Sequence, residues 1–238
     1  MSIWRRLAAA TTDASIGSQI GALLGGGAVR DAGNRHKIPE APDNEVPFTV
    51  GVIMLGAKMA KADGSVTSDE VTAFKEAFKV SPAEMRHAAP VFNFAKRDAS
   101  DYADCAGQLV AVFKGDRNLL EDVLDGLFHI AKADDEVHPQ EAEFLREVAK
   151  VFGFNGEEFN VIKARHLAAT KRNPYDVLGV EPSISDAELE RHFRALMADN
   201  HPDKLVARGV PKEFVAIATE KAAALSDAYD AIVKERSA

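Results

Sequence analysis

Cysteine is nearly missing from this chain: Cys105 is the single one in 238 residues, so no internal disulfide can form and apolar packing must hold the fold. A lone thiol fits a reducing compartment, and on a helical stretch it reads as a small buried hydrophobe. Positive charge is also scarce. With 29 Lys and Arg against 37 Asp and Glu, the formal net charge is -8, which leaves no broad basic face and excludes nucleic acid as the main partner. No glycine-rich loop follows a strand-like run, so the chain shows no nucleotide-binding signature and implies no cofactor. What the chain does have is 46% apolar residues, enough for one large or two small domains.

The most informative segment lies near the C-terminus. Ser185-Asp186-Ala187-Glu188 is an S-x-x-E capping box, so a helix begins near Asp186. Leu189, Phe193, Leu196 and Met197 recur at helical spacing and give that helix one apolar stripe. Pro202 disfavours helical backbone at His201, so the helix stops before it and His201-Pro202-Asp203 is predicted as a stiff, exposed loop. Gly209 and Pro211 restart the chain, and Phe214, Ile217, Ala218, Ala222, Leu225, Ala228, Tyr229 and Ile232 form a second stripe. Two stripes joined by a loop are expected to bury each other. His201 and Asp203 do not read as a catalytic pair, because no serine or cysteine nucleophile is placed nearby by sequence.

Asn173-Pro174-Tyr175-Asp176-Val177-Leu178-Gly179-Val180, the capped helix, His201-Pro202-Asp203-Lys204 and Ala228-Tyr229 follow one another in an order and spacing that resembles the J domain of DnaJ-type co-chaperones. The resemblance covers about the last quarter of the chain. Leu205-Val206-Ala207-Arg208-Gly209-Val210-Pro211 looks like the DjlA type, in which a J domain follows a helical TerB-like domain. The resemblance implies partners, a DnaK-type chaperone ATPase and client proteins, and a mechanism in which the loop stimulates the ATPase's hydrolysis of ATP without catalysing anything itself. Carried over by position, Asp203 pairs with an arginine of the partner, His201 and Pro202 shape the loop, and Arg191, Arg194 and Lys204 meet acidic partner surface. One departure stands out. J domains usually carry a strongly basic second helix, whereas Asp186 to Asp199 sets Arg191 and Arg194 against Asp186, Glu188, Glu190 and Asp199, which predicts weak steering toward an acidic partner.

The central region carries an internal repeat. Ala60-Lys61-Ala62-Asp63-Gly64-Ser65-Val66 matches Ala131-Lys132-Ala133-Asp134-Asp135-Glu136-Val137 at a fixed offset, and Glu70 aligns with Glu141. Each unit reads as an apolar helix, an acidic turn and a second helix, and two such hairpins are expected to pack as a bundle. Val52, Leu55 and Met59 precede the first turn, with Val71, Phe74 and Phe78 after it; Leu124, Leu127, Phe128 and Ala131 precede the second, with Phe144, Leu145 and Val148 after it. Pro139 suits the first turn of the last of these helices. The repeats resemble the TerB-like domain. Their acidic turns, Asp63 with Glu70 and Asp134, Asp135 and Glu136 with Glu141, offer hard oxygen ligands for calcium or magnesium but lack EF-hand spacing. Either they are solvated turns and helix N-terminal carboxylates, or they form the metal site of a stress-response protein of the tellurite-resistance kind with the J unit as adapter. His87, His129, His138 and His166 lack zinc spacing, and Asp101, Asp104, Asp116 and Asp122 read as solvated helix faces.

The expected organisation is therefore all-α: a glycine-rich segment and proline-containing linker over 1–47, a TerB-like bundle over 48–168 and a J domain over 173–238. Within the first segment, Ala14 to Val29 is small or apolar, with Gly17, Gly21 and Gly25 at i+4 spacing and Trp4, Arg5 and Arg6 ahead of it. The stretch is shorter than the roughly 20 residues that hydrocarbon takes. It reads either as a flexible or peripheral segment or as an anchor placing residues 1–30 at the cytoplasmic face of the inner membrane. The remainder reads as cytoplasmic.

Overall fold

The computed structural model describes residues 44–62, 80, 88, 94–95, 101–132 and 137–237. The centre of the bundle is helix α1, Glu45–Ala62, whose Phe48, Val50, Val52, Ile53, Leu55 and Met59 are all shielded from water. Residues around its whole circumference are apolar, the pattern of a helix that other helices enclose. Its one buried hydroxyl, on Thr49, donates to the Glu45 carbonyl at 2.8 Å and so carries no unpaired polar atom inside. Pro47 sits in the first turn of α1, where its missing N–H costs nothing, so the helix begins inside the stretch whose composition suggested a linker.

Helices α2, Tyr102–Val112, α3, Arg117–Ala131, and α4, Pro139–Val151, pack around α1. Each start has a local cause. Asp116 accepts from the Asn118 and Leu119 amides to cap α3, and Pro139 opens α4 as the sequence predicts. A Cβ on Gly51 would lie 2.5 Å from Leu109 Cδ2, which shows how closely α2 approaches α1. Cys105 is buried on α2. Helix α5, Gly156–His166, is held by an Asn155–Glu158 capping box and tied to the start of α3 by an Arg117–Glu158 ion pair. The first acidic turn, with Asp63 and Glu70, and the helix expected after it lie outside the described residues, as do Ala133 to Glu136 of the second turn.

A 3-10 turn at Ala169–Lys171 leads to α6, Pro174–Leu178, which Asn173 caps and Gly179 ends in the left-handed region at φ 67°. Helix α7, Asp186–Asp199, starts at the predicted Ser185 box. Two differences from expectation follow. His201-Pro202-Asp203 is not an extended loop; it opens a further short helix, α8, Pro202–Arg208, because a proline that ends one helix is equally suited to the first turn of the next. The last helix, α9, Val215–Arg236, does not bury its whole stripe against α7. It has 22 residues to the 14 of α7, so only its C-terminal half, Leu225, Ala228 and Ile232, shares a small core with Leu189, Val177 and Leu178. Its first turns, Ile217 and Ala218, together with Phe214, Val210 and Leu205, enter the core of the central bundle. The segment from Leu205 to Ala218 thus shares the apolar interior of the bundle, while the C-terminal half of α9 keeps a second, separate core.

Candidate docking surface and the charged seam beneath it

Helix α7 ends where its backbone runs out of partners. The Asn200 amide and side chain both bond the Leu196 carbonyl, at 3.0 and 2.8 Å, and His201 then adopts the extended backbone that a following proline imposes, φ -65° and ψ 134°. His201 Nδ1 accepts from the Asp203 amide at 3.2 Å, capping α8. The Asp203 carboxylate, 94% exposed, points to solvent 3.8 Å from His201 Nδ1. Imidazole and carboxylate are therefore presented together from the first turn of a helix, on a tip with no enclosing wall.

The basic residues expected to flank this tip are mostly engaged. Arg194 pairs with Glu190 one turn back on α7, and Lys204 pairs with Asp199 at 2.9 Å. Arg191 is exposed on the same helix. His192 turns inward to bond the Leu178 carbonyl at 2.8 Å, tying α7 to α6, and Arg236 at the end of α9 reaches Asp186 at 2.6 Å. Neighbouring carboxylates thus offset the positive charge of this face, in line with the thin basic runway read from the sequence.

Below the tip lies a buried cluster that sequence reasoning missed. Lys221 of α9 reaches Glu121 at 2.7 Å and Asp125 at 2.8 Å on α3; Arg165 of α5 reaches Glu121 at 2.6 Å; His166 reaches Asp125 at 2.7 Å and stacks on Phe128; and Arg208 reaches Asp122 at 2.9 Å. Asp122 is consequently not on a solvated face: it is 8% exposed, because α8 and α9 cover it. Where Asp122, Asp125 and Lys221 meet Leu205 and Phe214 the residual space is about 10 Å³, the lower limit of what holds one water. Burial is the largest single influence and disfavours the charge on Asp125 and Glu121, yet Lys221 and Arg165 together, joined at Asp125 by the bond from His166, outweigh it and hold both carboxyls below their ordinary values. Desolvation likewise opposes the Lys221 charge, and Asp125 and Glu121 overcome it, raising that group. At Asp122 burial wins over Lys221 and Arg208, and its carboxyl is pushed up to about 6. The legible hint was Glu121, Asp122 and Asp125 set within the apolar run of α3, together with Lys221 inside the apolar stripe of α9.

Of the acidic-turn residues, Asp63, Glu70 and Asp134 lie outside the described residues. Glu141 is described: it is buried, and its Oε2 accepts from the His138 amide at 2.8 Å as part of the α4 start. Among the described residues no group of three or more His, Cys, Asp or Glu side chains is arranged to hold a metal ion.

The family model of the tellurite resistance protein TerB matches residues 49–164, and that of the DnaJ domain matches residues 173–236. The co-chaperone protein DjlA of Photobacterium profundum is 30% identical over 79% of this chain and 77% of its own length. The chain belongs to the DjlA family of co-chaperones. DjlA proteins of Vibrio cholerae, 27% identical over 83% of this chain and 81% of theirs, and of Coxiella burnetii, 28% identical over 81% and 78%, match as well. No solved structure matches the chain with statistical support. In this DjlA-family chain the DnaJ match spans α6 to α9 and includes the exposed tip, and the TerB match spans the helices that carry Glu121, Asp122 and Asp125. Among the described residues, no helix is long and apolar enough to cross a membrane, and the glycine-rich residues 1–43 lie outside them.

Proposed function

We propose that this chain docks on a DnaK-type chaperone ATPase and stimulates ATP hydrolysis there through His201, Pro202 and Asp203. Residues 173–238 act as the J domain, and residues 48–168 as the TerB-like module that recruits or localises it. The observation that carries this reading is the presentation of the tip: a 94% exposed Asp203 carboxylate, on a residue whose backbone amide bonds His201 Nδ1 and which sits on a helix start that Pro202 opens. Such a group reaches into another molecule's site; it does not enclose one of its own. Arg191, Arg194 and Lys204 supply rim charge, which governs encounter and register more than affinity. Residues 1–30 bring the module to the cytoplasmic face of the inner membrane, a point that fractionation of cells into membrane and soluble pools tests directly.

The deciding experiment is single-turnover ATP hydrolysis by a DnaK-type chaperone with and without the purified chain. Wild type accelerates it, and Asp203→Asn and His201→Gln lose the effect with circular dichroism unchanged. Equal rates with wild type and both variants reject the proposal.

A further inference from the structure

Between the end of α7 and the start of α8 only Asn200 and His201 intervene, so the angle between these two helices sets the bearing of the imidazole and of Asp203. Two side chains bridge that angle. Lys204 bonds Asp199 on the outside, but both groups are about half exposed, and exposed pairs of this sort contribute little. The second bridge is Arg208, whose side chain is 17% exposed. Its Nη1 donates to the Asp199 carbonyl at 3.1 Å, at the C-terminal end of α7, while Nη2 donates to Asp122 at 2.9 Å, in the middle of α3. The Arg208 carbonyl is itself held by Asn44 Nδ2 at 3.0 Å, just ahead of α1. One planar guanidinium, itself a terminal residue of α8, therefore joins the last turn of α7 to the central bundle.

We propose that Arg208 is a positioning residue for the His201-Pro202-Asp203 tip, held in place by Asp122, so that the bundle sets the geometry of a tip it does not touch. This inference rests on the co-chaperone reading above and adds a role for the TerB-like unit beyond recruitment. Arg208 is turned inward and is not available to a docking ATPase, so it acts through the tip. A fork that serves two acceptors in different directions also explains why arginine stands here: a lysine ammonium keeps the charge but not the planar two-way geometry.

The test titrates a DnaK-type ATPase in single-turnover assays with the full chain as wild type, Arg208→Gln, Arg208→Lys and Asp122→Asn, alongside amide hydrogen exchange of residues 199–208. Loss of positioning lowers the maximal stimulated rate by about tenfold for Arg208→Gln, short of the roughly hundredfold that a full ångström of misplacement can cost. The half-saturating concentration stays within about twofold, since the rim that governs encounter is intact. Arg208→Lys does not restore the maximum, and exchange across 199–208 speeds up in both Arg208 variants and in Asp122→Asn. A wild-type maximum in folded Arg208→Gln, full rescue by Arg208→Lys, or a change confined to half-saturation overturns the proposal. If wild type itself gives no stimulation, the co-chaperone reading falls. Hydrogen exchange needs no partner and still decides whether Arg208 fixes the tip: unchanged protection in the variants overturns that by itself.

Discussion

Lys221 on α9 and Asp125 on α3 are 96 positions apart in the chain, yet their charged atoms meet at 2.8 Å with both side chains 4% exposed. Removing the cation leaves Asp125 and Glu121 desolvated and short of positive charge, the situation that makes breaking a buried pair costly. Lys221→Met is therefore expected to lower unfolding stability by about 3–5 kcal/mol. Urea denaturation of the full chain checks this. Adding Asp125→Asn to Lys221→Met should cost less than the sum of the single changes, and strict additivity would show that the two groups do not act as a pair.

His166 gives the seam a pH dependence of known sign. Burial disfavours its charged form and outweighs the bond to Asp125, so its value in the folded chain lies below the ordinary 6.5. As pH falls through 6.5 the unfolded chain takes up a proton there and the folded chain does not, so stability from this group declines toward acid. Asp122 works oppositely: raised from 3.8 to about 6, it makes the folded chain bind the extra proton in that window and favours the folded state as pH falls. The contribution of His166 is isolated by His166→Gln, which does not titrate. Measured by denaturation between pH 5 and 7.5, the stability of wild type relative to this variant should rise with pH, by at most about 1.4 kcal/mol per pH unit for one proton. A flat difference would mean that His166 has the same proton affinity folded and unfolded.

Phe214 joins the two halves through apolar packing. Its ring meets Phe48 of α1 edge-on at 5.0 Å, and a Cβ on Gly126 of α3 would come within 2.7 Å of Phe214 Cε1. Phe214→Ala should cost about 3–5 kcal/mol, as expected for deleting a fully packed ring. Gly126→Ala should destabilise wild type by about 1–3 kcal/mol through overpacking. In the Phe214→Ala background the clash is gone and only the helix preference for alanine remains, so the same change should stabilise by about 0.5–1 kcal/mol. Thermal or urea unfolding of the four chains reads that reversal of sign. Destabilisation in both backgrounds would place the tight contact elsewhere.

How much of this was legible in the sequence depends on the range of the interaction. The Ser185–Glu188 box, Pro139 at the start of α4 and the stripe of Leu189, Phe193, Leu196 and Met197 are local signals, and each element stands where they put it. Helix α8 was written in Pro202 and in Gly209, which sits at φ 94°, but Pro202 read first as the end of α7 and masked the second meaning. The seam was the least legible part. Asp122 looked like one more acid on a polar face because Arg208 lies 86 positions away, and no periodicity within α3 reveals that another helix will cover it. The long stripe of α9 holds more apolar residues than α7 can cover, and that excess, like the acids set within the apolar run of α3 and Lys221 within the α9 stripe, is a sequence clue that a second surface receives them.

Gly209 lies against Asn44, just ahead of α1. At φ 94°, a Cβ there would lie 2.5 Å from Asn44 Cβ and 3.1 Å from its Cα. Gly209→Ala thus carries two separable penalties: about 1–2 kcal/mol for left-handed backbone, and a steric one that must displace Asn44 and with it the bond to the Arg208 carbonyl. Asn44→Gly clears the nearest obstructing atom but gives up that hydrogen bond, for about 0.5–1.5 kcal/mol. The double variant should therefore be more stable than the two single losses combined, while remaining below wild type by at least the backbone strain. Urea midpoints of the three variants decide it. Full recovery in the double variant would show that the left-handed conformation costs nothing here, and no recovery at all would show that the close approach of Gly209 to Asn44 is not what limits the site.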